Sequence, residues 1–148
     1  MIYLADTNVL LRLLRRIAPR YSVVRAAVLT LQANGHQLRS ASQNFIECWN
    51  VLTRPLKQNG FGLTPQAAEV LLQVAEGTSL PLPDSPSAYP EWRRLVAQFG
   101  VSGVQVHDAH LVAIMLAHNI THILTFNTYD FARYAPEGIV AVGPASVC

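Results

Sequence analysis

Met1-Ile2-Tyr3-Leu4-Ala5-Asp6-Thr7-Asn8-Val9-Leu10 carries a short apolar run into a polar Asp-Thr-Asn step and out again into helical spacing. A run this short, followed at once by an amphipathic pattern, reads as a buried strand handing over to a helix, which is the switch point where open α/β sheets bind their ligands. About a hundred residues later, Val104-Gln105-Val106-His107-Asp108-Ala109-His110-Leu111-Val112-Ala113-Ile114 sets a second Asp at the mouth of another apolar helix. The two acids are expected to face one pocket.

Between and around these stretches the periodicity gives alternating elements. A helix is expected over 8–17, with Val9, Leu10, Leu13, Leu14 and Ile17 inward and Arg12, Arg15 and Arg16 outward, ended by Pro19. Next come a helix over 22–33 closed by Asn34-Gly35, a strand over 37–41, and a helix over 43–54. That last helix has Phe45, Ile46, Trp49 and Leu52 on one side and Gln43, Asn44, Glu47, Asn50 and Arg54 on the other. Thr64-Pro65 caps a further helix to about Glu76, and a short strand over 80–82 follows. The Pro- and Ser-rich segment 78–90 reads as a surface loop before a helix over 91–99. Strands over 121–126 and 138–142 frame a turn at Asn127-Thr128-Tyr129-Asp130-Phe131. Strands separated by helices imply a central parallel sheet sandwiched between helices, an α/β fold.

The 148 residues, 51% of them hydrophobic, suit one domain spanning 1–148 with a real core. No apolar stretch approaches the roughly 18–20 residues that span a bilayer, and the first residues lack a basic leader, so no membrane association and a cytoplasmic location are expected. Cys48 and Cys148 have no Cys-x-x-Cys partner and fit a reducing compartment. The net charge of +2 sets up no global field for nucleic acid, but nearly all the basic residues are Arg, the better phosphate ligand.

Four carboxylates carry the chemical argument: Asp6, Glu47, Asp108 and Asp130. Acids converging at strand ends repel one another unless protons or a cation neutralise them, and oxygen-only ligands favour Mg²⁺ or Mn²⁺ over zinc. Hydrolysis of a phosphodiester by activated water is the chemistry such a cleft suits. Taken singly, each acid has a plainer use. Asp6 and Asp108 suit helix N-caps, Glu47 a solvated stripe, and Asp130 a turn. His107 and His110 flank Asp108 without a third ligand of matching softness, so a contact behind the carboxylates or to phosphate is their other use. Arg12, nearest Asp6, and Arg54, two turns beyond Glu47, are candidate contacts to a phosphodiester backbone, whereas Arg16 reads as solvated surface.

Met1 to Asn8 with Asp6-Thr7-Asn8, the mid-helix Glu47, the His107-Asp108-Ala109 helix start and the closing Leu124-Thr125-Phe126-Asn127-Thr128-Tyr129-Asp130-Phe131 together resemble the PIN domain, in its VapC-type toxin ribonuclease branch. The likeness runs in order along essentially the whole chain. It implies a Rossmann-like sandwich and a Mg²⁺- or Mn²⁺-dependent endoribonuclease in which Asp6, Glu47 and Asp108 bind metal. Thr7 matches the hydroxyl position beside the first acid. Asn127 occupies the fourth position, where the family has Asp or Asn, and Asp130 follows. The neutral Asn127 implies one firmly held metal, with a second recruited by substrate. The resemblance also implies an RNA substrate, a separately encoded antitoxin that blocks the cleft, and a homodimer.

Two rivals stand beside that reading. One is a PIN-like module that grips RNA or protein with little or no cutting, suggested by Asn127. The other, a phosphorylated receiver domain, wants a lysine beside the phosphate, and Lys57 lies in a loop far from any strand end.

Overall fold

The computed structural model describes residues 1–148. The chain folds in the order β1 (Ile2–Ala5), α1 (Thr7–Leu13), α2 (Tyr21–Ala33), β2 (Gln37–Ser40), α3 (Ser42–Thr53), α4 (Pro65–Thr78), β3 (Leu80–Pro81), α5 (Ala88–Gln98), α6 (Val106–Ala117), β4 (His122–Leu124), α7 (Thr128–Ala132) and β5 (Val140–Val142). The strands pair in parallel in the order β3-β2-β1-β4-β5, with β1 central. Leu4 is in register with Arg39 on one side and Ile123 on the other. The chain leaves β1 toward β2 and later returns on the opposite flank as β4. That reversal opens a crevice at the carboxyl ends of β1 and β4.

Strand alternation sends side chains to two cores. Leu4 and Ile123 point into a cluster with Leu95 of α5, six residues of α6 including Leu111 and Met115, and Phe131 of α7. Tyr3, Ala5 and Leu124 point the other way, against Val9 and Leu10 of α1, Val24 and Val28 of α2, Phe45 and Cys48 of α3, and Ala75 of α4. The parallel sheet is thus covered on both faces, as expected. No helix is long and apolar enough to cross a membrane.

The differences from the expected elements have local causes. Helix α1 stops at Leu13, and Ile17, expected inward, is 89% exposed. Pro19 disfavours a helical Ala18, and the chain turns out through Ala18 N–H to Arg15 O instead. On α3 the inward stripe passes through Phe45, Cys48 and Leu52, leaving Ile46 69% exposed, while Asn44 is wholly buried. Where an open turn is expected over 127–131, the chain forms a short helix, α7, over 128–132 with Asn127 as its N-cap. Helix α5 starts at Ala88, three residues earlier than expected, because Pro90 falls in the first turn, where no backbone donor is needed. The last two strands, β4 and β5, are shorter than expected.

Two local expectations hold in detail. Gly35 adopts φ +82 after α2, and Thr64 Oγ1 accepts from Ala67 N–H with Pro65 at the first helical position.

Candidate active site

Asp6 is the residue where β1 ends and α1 begins, and it is 6% exposed. Its Oδ1 accepts from Thr7 N–H at 2.8 Å and its Oδ2 from the Thr125 hydroxyl at 2.7 Å. Thr125 follows β4 directly, so Asp6 ties the two strand ends that frame the crevice together. The N-cap use and the site use of Asp6 are therefore the same geometry. Thr125 Oγ1 also accepts from Asn127 N–H at 2.9 Å, and Phe126 N–H donates to Asn8 Oδ1 at 3.3 Å.

Glu47 reaches the same crevice from α3. Thr7 Oγ1 donates to its Oε2 at 2.8 Å, and Gln43 Nε2 donates to its Oε1 at 2.8 Å. Asn44 Nδ2 donates to Thr7 Oγ1 at 3.1 Å, and Ala41 N–H donates to Asn44 Oδ1 at 2.9 Å. Gln43 Nε2 also donates to His107 O at 3.0 Å, so its amide nitrogen faces two acceptors. Its Oε1 then faces His110 Nδ1, which must carry the proton. One chain of bonds runs from α6 through His110 and Gln43 to Glu47, then through Thr7 and Asn44 to the backbone that opens α3.

Asp108 stands in the first turn of α6, not at its N-cap, which is Gln105. Its carboxyl is pushed up to about 6, first by burial and then by Asp6, Asp130 and Glu47. Burial likewise raises Asp6, with Glu47 adding to the effect and the Thr125 and Thr7 bonds opposing it. The other three predicted acids thus all bear on Asp108. None of them has a basic partner, since both ion pairs of the chain belong to Arg94, with Glu91 and Glu137.

Burial of negative charge without a counter-charge is costly, and the donors are all oxygen, which fits a hard divalent cation. No group of three or more His, Cys, Asp or Glu side chains is already drawn together as a metal cage. Glu47 and Asp6 are instead held by the hydroxyl, amide and backbone donors described above. The acids converge as a field and not as a closed coordination sphere.

The remaining candidates fall into place around this centre. Asn127 is exposed, and its side chain makes no capping bond to α7. Asp130 is half-buried in the first turn of α7 and contributes to the rise at Asp108. Arg12 and Arg54 line one cavity of about 540 Å³ next to the crevice. Arg16, expected on the same helix face as Arg12, lines a different groove. His118 caps α6 and bonds Pro83 O at 2.9 Å, as a structural residue would. Cys48 is buried, its thiol raised to about 12 by burial, Glu47 and Asp6, which leaves it inert; both cysteines are free.

Sequence reasoning missed Gln43, Asn44 and Thr125. Gln43 and Asn44 belong to a polar stripe that reads as solvated, and only the fold shows that the stripe faces Thr7 and His110. Thr125 had a usable signal, a hydroxyl at a strand end two residues before Asn127.

Residues 3–136 match the PIN domain family. No curated protein matches the chain in sequence. Among solved structures the chain resembles VapBC2 from Rickettsia felis bound to a DNA fragment from its promoter, at 18% identity and TM-score 0.69 over 97% of this chain and 98% of that one. It also resembles VapBC-1 from nontypeable Haemophilus influenzae, at 17% identity and TM-score 0.70, with the same coverage of both chains. A toxin-antitoxin complex from Klebsiella pneumoniae is similar at 23% identity and TM-score 0.61, over 96% and 97% of the two chains. At these identities the structural likeness is one of fold.

Proposed function

The chain belongs to the PIN domain family, and on that premise we propose that it is a metal-dependent endoribonuclease, the toxin of a toxin–antitoxin pair, acting on RNA phosphodiester bonds with Mg²⁺ or Mn²⁺. The observation that carries this reading is the convergence of Asp6, Glu47 and Asp130 on Asp108 at the switch-point crevice, with no basic residue in an ion pair with any of them.

Asp6, Asp108 and Glu47 are the residues that would hold the ion. A divalent ion bound there supplies positive charge to a phosphoryl oxygen and makes a bound water more acidic. The chain's own residues do the positioning. Thr125 and Thr7 N–H fix both oxygens of Asp6. Thr7 Oγ1 and Gln43 fix both oxygens of Glu47, so these two carboxylates are oriented before any ligand arrives. Asp108, pushed up to about 6 by burial and by Asp6, Asp130 and Glu47, is the acid whose ionisation a bound cation would favour most. Exposed Asn127 offers a neutral amide to substrate or water, and Asp130 adds negative charge at the rim.

The partner is proposed to be an antitoxin protein, and support comes from the neighbouring folds, which include complexes titled VapBC and toxin-antitoxin. A homodimer and a cytoplasmic site of action complete the reading. Sedimentation of the purified chain tests the dimer.

The deciding experiment is cleavage of end-labelled single-stranded RNA with Mg²⁺, Mn²⁺ or EDTA, alongside the Asp6→Asn/Asp108→Asn variant. We expect cutting that needs the ion and disappears in the variant. Equal cutting by the variant would sink the assignment. A second reading, a module that binds RNA or protein with little or no cutting, draws on the neutral Asn127 and on the lack of a closed cage of ligands. It predicts RNA held in EDTA and returned intact in every lane.

A further inference from the structure

Beside the acidic crevice lies a cavity of about 540 Å³ whose lining includes Arg12, Arg15, Arg20 and Arg54 and no carboxylate. Four guanidinium groups around one hollow repel one another, and none of them is in an ion pair. Three of the four are held by aromatic rings. Arg12 and Arg20 lie over Phe126, at 5.0 and 4.8 Å from its centroid, and Arg15 lies 4.8 Å over Phe61. Arg54 donates to Asn59 O at 3.2 Å, while its Nε is buried with no acceptor at all. Burial and Arg20 both lower the Arg12 pKa, which is what an unneutralised cluster does to its members.

The place of the hollow in the fold says what it meets. Glu47, Val51 and Arg54 are successive positions along one side of α3 and its C-cap, and Val51 and Arg54 line the cavity. At 1.5 Å of rise per residue, Arg54 stands about 10 Å along the helix from Glu47. Phe126, the ring under two of the arginines, immediately precedes Asn127. A strand of polyanion crossing the acids therefore runs straight into the cations.

We infer that this arginine hollow is a phosphate subsite that seats a backbone phosphate of single-stranded RNA on one side of the acidic centre, with Arg15 and Arg20 as its accessible forks and Arg12 and Arg54 as its floor. The inference rests on the nuclease reading above and supplies what that site lacks, an affinity for polyanion. Fork-shaped, always-charged donors suit phosphate oxygens, and a lining free of acid leaves them available.

The test is fluorescence anisotropy with a short, mixed-sequence single-stranded RNA in EDTA, where nothing is cut, over a salt series. The proteins are the native chain, Arg15→Gln/Arg20→Gln, and Arg25→Gln as a control for removal of charge on exposed α2. We expect the double variant to bind roughly 10-fold or more weakly. Its slope of log affinity against log salt should flatten by about 0.7, the value for the one phosphate no longer neutralised. Arg25→Gln should match the native chain, and all three should melt alike. An unchanged slope in the double variant, or no saturable RNA binding by the native chain, overturns the inference. So does poly-L-glutamate losing affinity for the double variant while RNA does not, which would make the hollow a protein-docking site. Because no cleavage is read, failure here is distinct from failure of the Asp6→Asn/Asp108→Asn assay.

Discussion

With its side chain wholly inside the protein, Asn44 accepts from Ala41 N–H and donates to Thr7 Oγ1, so one amide joins the start of α3 to the hydroxyl that orients Glu47. Asn44→Ala strands a buried N–H and removes the donor behind Thr7. We expect a loss of about 1–3 kcal/mol, read as a lower denaturant midpoint with an unchanged slope. Asn44→Asp keeps the acceptor for Ala41 but adds a carboxylate to a buried acidic cluster. That group's folded pKa would be raised, so its penalty should grow as pH rises; the same penalty in acid and at neutrality would refute the network. The sequence shows Asn44 only as a polar residue on a polar stripe with Glu47. The stripe was legible, but what it faces was not, because the partner hydroxyl lies 37 residues away on another helix.

At the scale of elements, α3 is the spine of the site: Gln43, Asn44 and Glu47 serve the acids, and Val51 and Arg54 serve the arginine hollow. Its C-terminal end is fixed by the loop that follows. Gly62 N–H donates to Arg54 O at 2.8 Å, Gly60 N–H to Pro55 O at 3.1 Å, and Phe61 N–H to Val51 O at 2.9 Å. The loop passes so close that a Cβ on Gly60 would sit 1.9 Å from Arg54 O, a backbone atom that cannot step aside. Gly60→Ala should therefore cost about 1–3 kcal/mol and displace Phe61, the ring beneath Arg15. A melting curve superimposable on the native one would show that the loop yields freely. Nothing in Asn59-Gly60-Phe61-Gly62 beyond a loop is readable from sequence, since the constraint is a tertiary approach. Strand and helix order, by contrast, follows from local periodicity and capping, which is why β1, α3 and the Thr64 cap were foreseeable. The boundaries of α1 and α7 were not, because the turn from Ala18 N–H to Arg15 O and the bond from Asn127 N–H to Thr125 Oγ1 form only in the folded chain.

Across the whole molecule, the parallel sheet places acids from the end of β1 and from α3, α6 and α7 at the carboxyl ends of its strands, and the pressure on Asp108 has a sign that can be tested. Asp108 is raised to about 6 and Asp6 is also raised, both above the ordinary value of 3.8. A raised carboxyl binds its proton more tightly in the folded chain than in the unfolded one, so stability falls as pH rises from roughly 4, and for Asp108 that fall is complete a little above 6. Asp108→Asn should flatten this decline. A divalent ion reverses the situation, because it binds the ionised acids and competes with their protons. Mg²⁺ or Mn²⁺ at about 100 times its dissociation constant should add about 2.7 kcal/mol, raising the melting temperature by roughly 5–10 °C for a chain of this size. The gain should be large near about pH 8, small near about pH 5, and absent in the Asp6→Asn/Asp108→Asn variant. Thermal melts at both pH values with and without the ion read this directly. An equal rise in the variant, or one indifferent to pH, would mean that the ion binds elsewhere and that the acidic crevice is neutralised by protons alone.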